Sequence, residues 1–132
     1  PNFRKYQHAL YRRWTDNCLE SPESGVWVYR EDGVPAGIAC ASVSQAGVGK
    51  LELIAVKEPF RGRGIAGRLL AGVERFYGEH GATSAQVVTQ MKNIAACRLY
   101  ETHGYRLNNV VEVWHWWKAG NNPAGPIHGA SV

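Results

Sequence analysis

A mixed α/β fold is what this chain predicts, and two observations carry that prediction. An apolar run, Leu51-Glu52-Leu53-Ile54-Ala55-Val56, passes through a glycine-rich turn, Arg61-Gly62-Arg63-Gly64-Ile65-Ala66-Gly67, into a helix-forming stretch from Gly64 to Tyr77. Elsewhere, segments of strand period and segments of helical period alternate along the sequence. A length of 132 residues fits one domain, and 45% apolar residues with five Trp supply a core for it.

Taken in order, the chain opens with Tyr6, Leu10, Trp14 and Cys18 spaced four apart, an amphipathic helix whose wet side carries Arg4, Lys5, Arg12 and Arg13. Val26 to Arg30 reads as a strand. Glu31-Asp32-Gly33 is a hairpin turn, because Asp-Gly accepts the left-handed backbone that tight hairpins need. Gly37 to Ser44 returns, and Leu51 to Val56 is the third strand. The helix after the glycine turn ends near His80-Gly81, where Gly81 is the C-cap. Ser84 to Gln90 is a further strand. Asn93 to Thr102 is a short helix capped by Asn93 and ended by His103-Gly104. Tyr105 to Lys118 reads as extended, split into two strands by a turn near Asn108-Asn109. The Gly, Pro and Asn of 119–132 predict a mobile tail after a single domain over 1–118.

The glycine turn is the first candidate site. A helix N-terminus presents unpaired N–H groups and a partial positive charge, which together bind phosphate, and Arg61 and Arg63 add charge. Two patterns overlap there. Gly62-x-Gly64-x-x-Gly67 matches the dinucleotide fingerprint, but that fingerprint expects an acid about 20 residues on, at the end of the next strand, and Ser84 to Gln90 contains none. No Gly-Lys-Ser/Thr follows, so it is not a Walker A loop. Arg61-x-x-Gly64-x-Ala66 instead resembles the pyrophosphate loop of the GNAT N-acetyltransferase superfamily. The plain alternative is a basic surface turn.

A second motif strengthens that resemblance. Asn93-Ile94-Ala95-Ala96-Cys97-Arg98-Leu99-Tyr100-Glu101-Thr102-His103-Gly104-Tyr105 resembles the superfamily pattern N-x-x-A-x-x-x-Y-x-x-x-G-F/Y. Asn93 and Tyr100 are about two turns apart and share one helix side; in isolation an N-cap and a core tyrosine explain them better, and the glycine loop at the expected distance reverses that. The resemblance covers Val26 to Lys118. It implies a mostly antiparallel central sheet with flanking helices and a V-shaped splay between the strands at Leu51 to Val56 and Ser84 to Gln90. It implies acetyl-CoA as co-substrate, with pantetheine pairing to the backbone of Ile54, Ala55 and Val56. The pyrophosphate would rest on Arg61, Gly62, Arg63, Gly64, Ile65, Ala66 and Gly67. Asn93 would reach the pantetheine arm, and Tyr100 would be the general acid. The usual first strand and helix have no counterpart here, so the chain is a fragment or its front is reorganised. A narrower resemblance, through Thr89 to Ala96, Leu10 to Asn17 and Val113 to Trp117, is to acetyltransferases of nucleotide-linked amino-deoxysugars such as dTDP-fucosamine.

The implied function is acetyl transfer to a primary amine of a small molecule. A catalytically silent CoA-binding module and a protein or peptide N-acetyltransferase are the alternatives. Tyrosine and thiol have ordinary pKa values of about 10 and about 8.5, so Tyr100 is matched to protonating a departing thiolate. Glu52, on strand alternation, shares a face with Ile54 and Val56 and is the candidate base; a solvated strand glutamate is the plain reading. His103 and His115 are weaker candidates. Cys97 has no nucleophile partner placed by sequence and reads as a small packed thiol.

Composition narrows the partners. A net charge of +4 suits a polyanionic ligand, but Lys and Arg are scattered rather than striped with aromatics, which argues against nucleic acid. No apolar run of about 18 residues exists, so no membrane span is expected. Cys18, Cys40 and Cys97 form no C-x-x-C and the histidines no H-x-x-x-H. No metal is therefore expected, and reduced thiols in a cytoplasm fit best. No signal peptide is visible at Pro1, and the missing initiator Met suggests a trimmed chain. The Trp-rich segment Val110 to Trp117 predicts a homodimer formed by edge pairing.

Overall fold

The computed structural model describes residues 12–13, 15–112, 114, 116 and 118–120. They group into two compact units, one within Leu10–Val88 and one from Thr89 onward.

The first unit is a four-stranded sheet with helices. Helix α1 covers 15–20, and 12–13 are also helical. The expected start of this helix at Tyr6, with Leu10 and Trp14, lies outside the described residues. Strands β1 (Ser24–Glu31), β2 (Val34–Val43) and β3 (Val48–Val56) follow, then a 3-10 turn at Glu58–Phe60, helix α2 (Ile65–Glu79) and strand β4 (Ser84–Val87). The order across the sheet is β1-β2-β3-β4, with the first two pairs antiparallel and β3–β4 parallel. This is the mixed, mostly antiparallel sheet with flanking helices that the sequence predicted. The β1–β2 turn is the Asp-Gly pair: Asp32 has φ 49° and Gly33 φ 78°, the left-handed values that match hairpin twist.

Alternation sorts the strands onto two faces. On one face lies α2, which buries Ile65, Leu69, Leu70, Val73 and Tyr77. That stripe recurs at helical spacing and rests on the sheet so closely that side chains at two sheet positions would crowd it. A Cβ at Gly37 would sit 3.0 Å from Leu69 Cδ1, and one at Gly49 would sit 2.7 Å from the Tyr77 ring. Trp27 of β1 closes this layer edge-on against Phe76, with centroids 5.2 Å apart. On the other face Cys18 of α1 packs with Cys40 and Leu53, flanked by Val26 and Ile38. Burial pushes the Cys18 thiol up and the Cys40 thiol up to about 12, so both stay protonated at neutral pH.

In the second unit, α3 spans Ile94–Thr102. Two expectations change, one at the end of the first unit and one in the second. The strand predicted to reach Gln90 stops at Val87. Residues 105–112, predicted as the start of two strands, carry no strand pairing; their Val and aromatic content favours extension, but nothing described supplies a ladder partner. Trp114 and Trp116 are both exposed. Residues 113, 115, 117 and 121–132 lie outside the described residues, and with them most of the predicted tail.

Leu70 is fully buried against the sheet. Leu70→Ala should destabilise the chain by about 2–5 kcal/mol through lost burial and an unfilled cavity. Urea denaturation followed by Trp fluorescence should show a lower midpoint with an unchanged slope.

Candidate functional site

The site starts where a ladder stops. β3 and β4 pair from Val48↔Ser84 to Leu51↔Val87 and no further, although β3 runs on to Val56. Its other edge stays paired to β2 throughout, with Ala39↔Ile54, Ile38↔Ala55 and Gly37↔Val56. Lys57 N donates to Ala36 O at 2.8 Å, so alternation turns the N–H and C=O of Ile54 and Val56 away from β2, toward the side β4 does not reach. One of those groups is taken: Arg61 Nε donates to Val56 O at 3.0 Å. The Ile54 N–H and C=O and the Val56 N–H remain on that edge. Among the described residues that side of the strand end has no strand partner, a geometry able to accept an extended chain as an added strand.

Four residues beyond that edge begins the glycine loop. Gly62 and Gly64 have φ 75° and 76°, left-handed values that a side chain would strain, and nothing lies within 4 Å of a Cβ at either. Gly64 is the N-cap of α2 and supplies no capping side chain, and no acidic residue sits in the first helical turn. The first helical bond from this end is Arg68 N to Gly64 O. The N–H groups of the first turn therefore point out of the helix end with the partial positive charge of α2 behind them. Ile65, 3% exposed, pins the loop to the sheet.

The arginines are arranged in detail that the sequence did not disclose. Arg61 holds the loop to β3, as above. Arg63 pairs with Glu31 of β1 at 2.9 Å and lies over the Phe60 ring. Arg68 donates to Tyr29 OH at 2.8 Å. All three are exposed around one helix end. Sequence proximity signalled Arg61 and Arg63; Arg68 was missed, and its place one turn into α2 was the available signal.

Glu52 is not where alternation put it. The register slips between Cys40 and Ala41: Cys40 faces Leu53 and Ala41 faces Leu51, so Glu52 is the extra residue of a β-bulge. That slip separates Glu52 from the face of Ile54 and Val56, which corrects the predicted shared face. Glu52 instead accepts from Ser42 Oγ at 3.3 Å and pairs with Lys50 Nζ at 3.3 Å. It opens onto a concavity of about 420 Å³ on the α1 side of the sheet, with Ser24, Ser42, Ser44, Glu23 and Asn17 among its walls. Lys50 and Glu52 were readable as an i, i+2 pair; Ser42 was not, because its position depends on the register.

Asn93 and Tyr100 belong to the second unit. Asn93 caps α3, its Oδ1 accepting from Ala96 N at 3.2 Å, which leaves the side-chain amide N–H groups as donors. Tyr100 is buried, its ring 5.8 Å from that of Tyr105. Burial, and then the neighbouring Cys97, raises the Tyr100 phenol above its ordinary value. Among the described residues, no group of three His, Cys, Asp or Glu is arranged to hold a metal, and no helix is long and apolar enough to cross a membrane.

Comparison with known proteins decides the family. The profile of the Acetyltransferase (GNAT) family matches residues 1–105. The chain belongs to this family. A curated relative, the spore coat polysaccharide biosynthesis protein SpsD of Bacillus subtilis (strain 168), is 28% identical over 114 residues. That match takes in 86% of this chain but 39% of SpsD. Among solved structures, the aminoglycoside N-acetyltransferase AAC(6')-Iy in complex with CoA superposes with a TM-score of 0.69 at 23% identity, over 86% of this chain and 92% of that one. The same enzyme with a bisubstrate analogue of CoA and acetylneamine gives 0.66 at 25% identity, over 78% and 76%. The V-shaped opening of this GNAT chain is thus the early end of its β3–β4 ladder.

Gly64→Asp tests the loop. Aspartate tolerates the left-handed backbone better than most residues, so the fold should survive while a carboxylate occupies the anion position. Calorimetry should show CoA binding weakened by about tenfold or more, the loss of roughly 1.4 kcal/mol of anion binding. NAD should bind neither protein.

Proposed function

We propose that this protein is an acetyl-CoA-dependent N-acetyltransferase acting on a primary amine of a small, hydroxyl-rich molecule, an amino sugar. The observation that carries the reading is the succession, within one unit, of an unsheeted strand edge at Ile54–Val56 and an uncapped helix end at Gly64. Pantetheine would pair with Ile54 and Val56 as an added strand, each bond contributing about 1 kcal/mol net. Its pyrophosphate would lie on Arg61–Gly67. Neighbours solved with CoA, and a neighbour solved with acetyl coenzyme A, support this.

The acceptor reading rests on the concavity at Glu52. Its walls offer serine hydroxyls, amides and two carboxylates, Glu23 and Glu52, the donors and acceptors that a polyol ammonium ion satisfies. The aminoglycoside and polysaccharide context of the relatives points the same way. Glu52 takes the amine proton through water. The neutral amine attacks the thioester carbonyl, and the outward Val56 N–H receives the oxyanion. Collapse expels the CoA thiolate, and the family resemblance assigns its protonation to Tyr100; burial raises that phenol, so it keeps its proton across the neutral range but is a weaker acid than an ordinary tyrosine. Asn93 donates to the pantetheine arm. The exposed Val111, Trp114 and Trp116 support a homodimer through this segment, and three free thiols fit a reducing compartment.

Mass spectrometry after incubation with acetyl-CoA and a panel of amino sugars, polyamines and peptides tests the reading; it predicts acetylated amino sugar, and acetylation of peptides alone would replace it. Tyr100→Phe should lower kcat by roughly 10- to 1,000-fold with acetyl-CoA affinity held within a few-fold. The alkaline limb of the wild-type profile should lie above the ordinary tyrosine value, because the raised phenol loses its proton late, and the variant should lack that limb. Unchanged kcat with chemistry rate-limiting would leave Tyr100 a packing residue.

A further inference from the structure

Arg61 sits on a carbonyl that an added strand would use. Val56 O faces the side β4 does not reach, and it accepts from Arg61 Nε at 3.0 Å. The turn at Glu58–Phe60 brings the two together. Phe60 N donates to Lys57 O at 2.9 Å and Arg61 N to Glu58 O at 3.2 Å, so the chain folds back and returns Arg61 to the strand it has just left. An amide brings one donor and one acceptor to a strand edge. With Val56 O taken, an amide can pair fully at Ile54 but only through its oxygen at Val56. The bond that blocks it is exposed, and its acceptor is a neutral carbonyl. Arg63, by contrast, is held by the Glu31 carboxylate at 2.9 Å. A guanidinium binds phosphate as a two-pronged, charge-assisted pair, more strongly than it binds a carbonyl. Of these two arginines, Arg61 is therefore the one a phosphate draws off more easily.

We propose that Arg61 gates the strand edge and makes the protein selective for an acyl carrier that bears phosphate. The inference rests on the reading of acetyl-CoA given above. Without phosphate, Arg61 covers Val56 O, and a pantetheine arm meets an edge short of one acceptor. With pyrophosphate on the glycine loop, the guanidinium turns onto it. Val56 O is then uncovered, and an amide N–H of the arm donates to it instead. The two halves of CoA therefore bind with positive coupling. Bare pantetheine has no phosphate to draw Arg61 away and must displace it unaided. Arg61 thus disfavours thioesters of bare pantetheine by covering the group they would pair with, in addition to favouring CoA through charge.

The test is calorimetry of the full chain with CoA and with pantetheine, for the wild type, Arg61→Met and Arg61→Gln. Gln Nε2 lies as many bonds from Cα as Arg Nε and can donate to Val56 O, but it carries no charge for phosphate to attract. Met keeps a stem of similar length and does neither. Arg61→Met should bind pantetheine at least about fivefold more tightly than the wild type, the scale of an ordinary coupling between two sites, yet bind CoA more weakly. Arg61→Gln should match the wild type for pantetheine and bind CoA about tenfold more weakly, through the lost charged bond. Opposite changes for two ligands in one variant cannot come from a damaged loop, which would weaken both. Unchanged or weaker pantetheine binding in Arg61→Met, or an equal gain in Arg61→Gln, would overturn the proposal. If the wild type binds CoA and Arg61→Met shows no gain for pantetheine, this inference fails alone. If the wild type binds no CoA, the acetyl-CoA reading fails with it.

Discussion

The β3–β4 ladder ends after Leu51↔Val87, and the candidate site consists of what that ending exposes. A strand fully paired on both sides has no backbone group left to bind anything. β3 keeps one edge on β2 to its last residue and loses the other partner at its midpoint, so Ile54 and Val56 carry backbone groups that face a gap. The bulge at Glu52 falls at the same level. It turns a carboxylate out of the α2 layer, where it would be buried among apolar side chains at high cost, and onto the hydroxyl-lined side with Lys50 and Ser42. Two irregularities, one on each edge of β3, thus fall at one level: an open edge toward β4 and a carboxylate turned onto the polar side by the bulge toward β2.

The second constraint is the packing of α2. Its N-terminus can bind an anion only if it is held still, and Ile65 and Leu69 hold it by closing onto Gly37, where no side chain would fit without displacement. Gly62 and Gly64 then bend the backbone so that the first-turn N–H groups face outward. The arginines around this end each have a protein partner: the Val56 carbonyl, Glu31 or Tyr29. Exposed pairs of this kind contribute little stability. Their effect is to orient three positive charges about the helix end; in the proposed function, a pyrophosphate bound there would exchange only weak contacts for strong ones.

The sequence disclosed the parts whose signals are local. The Asp32-Gly33 hairpin, the glycine turn into α2 and the Asn93 cap depend on a few consecutive residues, and each appears where it was read. Strand ends were misplaced, at Val48 rather than Leu51 and at Val87 rather than Gln90, because a ladder's length depends on its partner. The face of Glu52 was misread for the same reason: alternation holds only while register holds, and the slip opposite Cys40 and Ala41 leaves no mark in composition. Residues 105–112 look like strands by content, yet β propensity describes fit to a neighbouring strand more than a property of the chain itself. The pairings Ser42–Glu52 and Arg63–Glu31 join distant segments and needed the fold to be seen.

In the proposed function one continuous backbone surface, from Ile54 to Gly67, receives acetyl-CoA. Amide hydrogen exchange with and without CoA tests it most directly. Exchange should slow at Ile54, Val56 and the N–H groups of Gly62 to Gly67, with β1 and the C-terminal half of α2 unchanged. Slowed exchange at the concavity around Ser24 and Ser44, with none along β3 and the glycine loop, would contradict it.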